Sequence, residues 1–137
     1  MLPERKVAAA YAIVIGLVAT MNWWPGIHDD QGRVFGIFAL DFYDDLLHAA
    51  SAAWAAIAAL TSKRASRIFL QVFGALYLLD GLLGVATGSG YLDLGIVFYG
   101  VLDQPLLFNF LASAPHIALG GFALFAGLSA GRRAAIA

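Results

Sequence analysis

Residues Phe42 to Arg64 read FYDDLLHAASAAWAAIAALTSKR, and residues Phe110 to Arg132 read FLASAPHIALGGFALFAGLSAGR. In each stretch a Phe precedes a His by six residues and an Arg follows that His by sixteen, with an almost uninterrupted apolar run between His and Arg. Four, seven and eleven residues after the His stand Ala52, Ala55 and Ala59 in the first stretch, and Gly120, Ala123 and Gly127 in the second. Those offsets fall on one face of a helix. Each stretch therefore predicts a membrane helix with a His near one end and a stripe of small residues beneath it.

The rest of the chain agrees with a membrane setting. Of 137 residues, 61% are hydrophobic and only 12% charged, and the mean hydropathy is +0.81, well away from soluble averages. The length fits one domain. The absence of cysteine excludes disulfides, thiolate metal sites and thiol nucleophiles. A net charge of −1 gives no sign of nucleic-acid binding.

Four apolar segments stand out: Val7 to Trp24, Asp45 to Ser62, Ile68 to Thr87 and Leu107 to Ala130. Each approaches the ~20 residues that cross a bilayer core. The second is mostly Ala, which contributes little transfer free energy, but it has no charged residue between His48 and Lys63 and is read as a span. The first ends in Asn22, Trp23 and Trp24 without a small-x-small cleavage site, so it is read as a retained span and not as a signal peptide.

Charge sets the expected topology. Seven of the eight basic residues, Arg5, Lys6, Lys63, Arg64, Arg67, Arg132 and Arg133, flank one side of these spans; Arg33 is the exception. The two other connections carry Asp29, Asp30, Asp41, Asp44, Asp45, Asp93 and Asp103. The positive-inside rule puts both termini in the cytoplasm and the acidic connections outside the inner membrane. Trp23, Trp24, Phe42, Tyr43 and Tyr91 form an aromatic belt there. Val34 to Phe42 and Tyr91 to Leu102 are too apolar for free loops and too short to span, so they are expected to lie in the outer interface as short helices or extended segments.

The expected fold is thus an all-α membrane protein: four transmembrane helices as two similar helical hairpins, residues 1–64 and 65–137, within a single domain. The matched Phe, His and Arg offsets make the hairpins a parallel pseudo-repeat.

The runs GIFALDFYDDLLH (Gly36 to His48), RIFLQVFGALYLLDGLLG (Arg67 to Gly84) and PHIALGG (Pro115 to Gly121) resemble small four-helix bacterial membrane proteins grouped as a domain of unknown function. The pattern of that family resembles an interfacial G-x-F-P-hydrophobic-Asn segment followed by an Asn-x-x-His-x-x-x-Gly helix start, once per hairpin. Asp45 and Ser113 stand where the pattern has Asn, and Ala52 replaces the first Gly. The resemblance implies the four-helix fold and no activity.

Three titratable side chains fall within spans and are candidates by that fact alone: His48, Asp80 and His116. Each His lies about 24 Å of helix rise above its Arg, and Asp80 about 20 Å above Arg67. At that common depth the three can meet. Two imidazoles on different helices are the ligand set of a haem b, with the small stripe admitting the macrocycle; the alternative is a structural role for each. Asp80, between Leu79 and Gly81, is a candidate for proton transfer or for a hydrogen bond across the bundle to His48, His116, Asn22 or a freed backbone group. Asn22 is the fourth expected buried polar residue. The pairs Asp29-Asp30 and Asp44-Asp45 have the oxygen chemistry of a hard-cation site, but Asp44 and Asp45 also suit the first turn of a helix.

No nucleotide-binding glycine loop, serine elbow or metalloprotease motif is present. The expected function is a non-enzymatic accessory or interaction subunit of a membrane assembly, meeting the lipid bilayer and either other membrane subunits or its own copies. A bis-His haem b electron carrier using His48 and His116, and a small proton-coupled carrier using Asp80, are the alternatives.

Overall fold

The computed structural model describes residues 3–136. The regular elements among them are helices: α1 (Glu4–Val18), a 3-10 turn (Met21–Trp23), α2 (Phe42–Thr61), α3 (Lys63–Thr87), the short α4 (Gly95–Tyr99) and α5 (Leu106–Ala135). Among the described residues there is no strand, only the isolated bridges His28 with Val34 and Val34 with Phe38.

Local chemistry sets the boundaries. Asp41 Oδ1 accepts the backbone N–H groups of Tyr43 and Asp44 at 2.8 and 3.0 Å, and Asp44 Oδ2 accepts that of Asp41 at 3.0 Å. This reciprocal cap satisfies orphan donors at the start of α2 and fixes its first turn. Ser62 alone separates α2 from α3, its Oγ accepting the Ala65 N–H at 3.0 Å as the cap of α3. α3 stops at Gly88, which takes a left-handed φ of 78°. α5 begins just after Pro105 and carries Pro115 in its interior, where the missing N–H frees a carbonyl one turn back.

Three helical stretches are long and apolar enough to cross a membrane: Glu4–Trp23, Lys63–Thr87 and Leu106–Ala135. By length and composition they suggest a membrane protein. The fourth expected span, α2, is not among them. It is 20 residues long, but Asp44, Asp45 and His48 fill its first two turns and Ala most of the rest, so length is not matched by apolarity. The expected interfacial segments also separate: Tyr91 to Leu102 contains the helix α4, whereas Val34 to Phe42 is a set of turns leading into α2.

α1 and α3 start at the same end of the bundle. There Arg5 Nε donates to the Ala59 carbonyl at 2.6 Å, near the end of α2, and Arg67 Nη1 donates to the Ala130 carbonyl of α5 at 3.4 Å. Arg33 apart, the basic residues thus collect at one end and the Asp-rich connections at the other.

Apolar helices that share a bundle can be held by close backbone packing and by interhelical hydrogen bonds. Both are present. A Cβ on Gly74 would collide with the Leu124 backbone N, and one on Gly120 with the Leu78 backbone N, so α3 and α5 touch backbone to backbone. Lower down, Gln71 Nε2 donates to the Gly127 carbonyl at 3.0 Å. The small stripe of α5 is therefore filled by α3, not open to a flat cofactor. On α2, Ala55 is wholly buried and Ala52 lies opposite Gly16 of α1. The centre is a ladder of rings: Phe69 on Phe73 at 5.0 Å, Phe73 on Tyr77 at 4.0 Å, with Tyr11 edge-on to Phe73 at 5.4 Å. The Tyr11 hydroxyl donates to the Leu119 carbonyl at 2.6 Å and ties α1 to α5.

A His–Asp cavity as candidate functional site

Above that ring ladder, at the acidic end, the bundle opens into a cavity of about 350 Å³. Ile15, Val18, Ile37, Phe38, Leu102, Phe108 and Leu119 give it apolar walls. Its polar groups are Asp44 and His48 from α2, Tyr77 and Asp80 from α3, Asp93 from the α3–α4 connection, Ser113 and His116 from α5, and Arg33 and Gln104 from the connections.

Asp80 is its best-determined group. The carboxylate is 4% exposed at the residue level. Its Oδ1 accepts the backbone N–H groups of Tyr91 and Leu92 at 2.7 and 2.9 Å, and its Oδ2 meets His116 Nδ1 at 2.5 Å. Chain reversal after α3 makes this possible: Ser89-Gly90 turns the backbone so that two successive N–H groups point back at the last turns of the helix. Gly90 is needed for the approach, since a Cβ there would lie 2.6 Å from Asp80 Oδ1. Two backbone donors and an imidazole thus hold a carboxylate that is almost wholly shut off from solvent.

His116 is the less buried of the two imidazoles, its side chain 21% exposed. Its ring stands 4.8 Å from that of Tyr77 and 5.8 Å from that of His48, the latter pair edge to face at 74°. Tyr77 and Ser51 share a hydrogen bond of 2.7 Å between hydroxyls. His48 is 5% exposed, and among the described residues its Nδ1 and Asp45 Oδ1 are the buried side-chain atoms that lack a hydrogen-bond partner. The two His rings already touch, so a macrocycle between them would require α2 and α5 to part. Among the described residues no three His, Asp or Glu side chains are arranged to hold a metal ion.

Asn22 is only half-buried, contrary to expectation, because α1 has ended before it: it sits in the 3-10 turn, with Nδ2 3.4 Å from Asp45 Oδ2 and Oδ1 3.4 Å from His28 Nε2. The paired acids also have local work. Asp29 accepts the Arg33 N–H and Nε at 2.8 Å each and the Gln31 N–H at 3.0 Å, and these bonds, that from the Arg33 backbone foremost, hold its carboxyl below the ordinary range. Arg33, so anchored, lies over the Phe108 ring at 5.6 Å. Burial raises the Asp41 carboxyl, but hydrogen bonds from the Asp44 N–H, the Tyr99 hydroxyl and the Tyr43 N–H outweigh it and leave the group below 3.8. The Tyr99 hydroxyl, donating to Asp41 Oδ2 at 2.9 Å, is raised by that bond and ties α4 to the start of α2.

Sequence reasoning missed Asn109, although a lone amide in LLFNFL carries the same signal as Asp80. It is 5% exposed, accepts from Gln104 Nε2 at 2.6 Å and donates to the Val85 carbonyl at 3.3 Å. Sequence reasoning read Asp44 as a helix cap or half of a surface cation pair, and did not single out Asp93, Tyr77 or Arg33 as cavity groups.

Comparison with curated proteins and with solved structures finds no match. A family profile does match, over residues 5–97, which spans α1 to the middle of α4 and includes His48 and Asp80 but not His116. The chain belongs to the family described as a domain of unknown function, DUF4383.

Proposed function

We propose that the protein is a four-span protein of the inner membrane that receives a small molecule in the cavity between its helices and acts without catalysing a reaction, as a binding or accessory subunit. The observation that carries this is the cavity itself: about 350 Å³, apolar walls, and the Asp80–His116 pair with His48 at its floor. A concave, mostly apolar site with a few convergent polar groups is the usual form of a small-ligand site.

The topology that goes with it has both termini in the cytoplasm and two hairpins, 1–64 and 65–137, in the same sense. α1 and α3 start at one end, as the Arg5 bonds to the end of α2 require, so the chain returns across the bundle in α2. That supports α2 as a span carried by its neighbours despite its Ala content. The cavity then opens to the outside. Exposed Leu106, Leu107, Phe110, Phe122, Phe125 and Leu128 on α5 lie against lipid or against another subunit.

A proton-coupled carrier using Asp80 is the second reading, favoured by the contact between Asp80 and His116. Beneath Tyr77 the stacked Phe73 and Phe69 rings fill the bundle, which supports binding over passage.

The test of the cavity is Ser113→Cys, the sole thiol in a chain without cysteine. It should react with a small methanethiosulfonate in the folded protein and be slowed by a bulky one. A thiol inert to every reagent would contradict the proposal.

A further inference from the structure

Resting on the cavity reading, we infer that the ligand is a small neutral molecule with a phenolic hydroxyl, which it donates to Nε2 of His116.

The Asp80–His116 pair leaves one ring nitrogen over. Asp80 accepts the Tyr91 and Leu92 N–H groups on Oδ1 and meets His116 Nδ1 with Oδ2. A carboxylate has acceptors alone, so the hydrogen between the two side chains is on Nδ1, and the neutral imidazole then presents Nε2 as a bare acceptor. Among the described residues nothing bonds that nitrogen. Nor is it sealed: the buried side-chain atoms without a partner are Asp45 Oδ1 and His48 Nδ1, whereas the His116 side chain is 21% exposed. The groups around its ring, Asp80, Tyr77 at 4.8 Å and His48 at 5.8 Å, all line the cavity, as does His116 itself. The open edge of the ring therefore faces that space.

Charge and walls narrow the donor. Arg33 is the only Lys or Arg among the lining groups and is paired with Asp29 at 2.8 Å, while Asp44, Asp80 and Asp93 supply negative charge, so nothing there invites an anion. Asp80, with three donors of its own, needs no cation. A neutral hydroxyl remains. Phenols ionise at about 10 and imidazole at about 6.5, close enough for a strong O–H···N bond, and the carboxylate behind the ring polarises it further toward that hydrogen. Phe38 and Phe108 in the walls, with the Tyr77 ring beside His116, suit an aromatic body. Ser113, three residues before His116 on one face of α5, also lines the cavity and can hydrogen-bond the same oxygen.

The experiment uses the full chain in detergent and two probes of one shape: 4-ethylphenol and its methyl ether, 4-ethylanisole, which accepts a hydrogen bond but cannot donate one. Binding is read by calorimetry against empty micelles. The phenol should bind at least about tenfold more tightly than the ether. Asp80→Asn reverses the polarity of the site: the new amide donates to His116 Nδ1, the imidazole proton moves to Nε2, and the phenol should lose its advantage. His116→Phe keeps a ring in place and should level the two probes. Nitrogen NMR of His116 should show hydrogen on Nδ1 in the wild-type chain and on Nε2 in Asp80→Asn. A merely structural role for Asp80 would not move the ratio of two neutral probes. An ether that binds as well as the phenol, a phenol advantage that survives either substitution, or a wild-type hydrogen on Nε2 overturns the inference. If neither probe binds while Ser113→Cys stays reactive, the cavity stands and the phenolic ligand is refuted. If that thiol is inert, both fall.

Discussion

Replacing Asp80 separates a designed polar junction from a tolerated accident. The carboxylate accepts three hydrogen bonds, from the Tyr91 and Leu92 N–H groups and from His116 Nδ1. Asp80→Leu leaves three donors without an acceptor, at about 1–3 kcal/mol each when buried. Tyr91 is half-buried and its N–H can turn to water, so the expected loss is about 3–5 kcal/mol and not the full sum. Asp80→Asn keeps one oxygen for the two backbone donors, and its amide can donate to His116 once the imidazole proton moves to Nε2. That change should cost about 1 kcal/mol. The assay is equilibrium unfolding in mixed detergent micelles, with a double-mutant cycle of Asp80→Leu and His116→Phe. Coupling of at least about 1 kcal/mol is expected for groups in one network. A Leu variant as stable as the Asn variant, or two changes that simply add, would refute the reasoning.

Two other changes probe the frame around the site. Gly120→Ala puts a Cβ against the Leu78 backbone N and within 2.9 Å of the Gly74 carbonyl; since backbone cannot yield, it should destabilise by about 1–3 kcal/mol, while Gly121→Ala, with nothing within 4 Å, should be neutral or slightly stabilising in the same unfolding series. Asp41→Ala should lose the α2 cap, about 1 kcal/mol, and free Tyr99. Because the folded Asp41 carboxyl is held below 3.8, its contribution should be complete above that pH and fade as the pH drops through the lower folded value; a cap contribution that grows on acidification would reverse the sign and contradict this.

Helix type and the apolarity of three segments were legible because both depend on side chains that periodicity and hydropathy register directly. The depth of His48, Asp80 and His116 could be counted from Arg64, Arg67 and Arg132 for the same reason. What holds Asp80 was not legible: Tyr91 and Leu92 act through backbone N–H groups, and only Gly90 leaves a trace of them. The cavity rim escaped too, since Asp44, Asp93 and Arg33 look in sequence like caps and loop charges. α2 is the instructive case. Its capping box, His48 and small residues could all be read, but an Ala-rich helix draws its place from α1 and α3 and not from its own transfer free energy.

That helix also decides the account. If α2 crosses, Ala39 at the cavity rim and Lys63 after the helix lie on opposite sides of the membrane; if it does not, they share one. In a chain without cysteine, Ala39→Cys and Lys63→Cys can each be labelled in intact cells with a membrane-impermeant maleimide. The account predicts that the thiol at 39 reacts from outside and the thiol at 63 only after the cells are permeabilised. Labelling of both from the same side, or of 63 alone from outside, would contradict it.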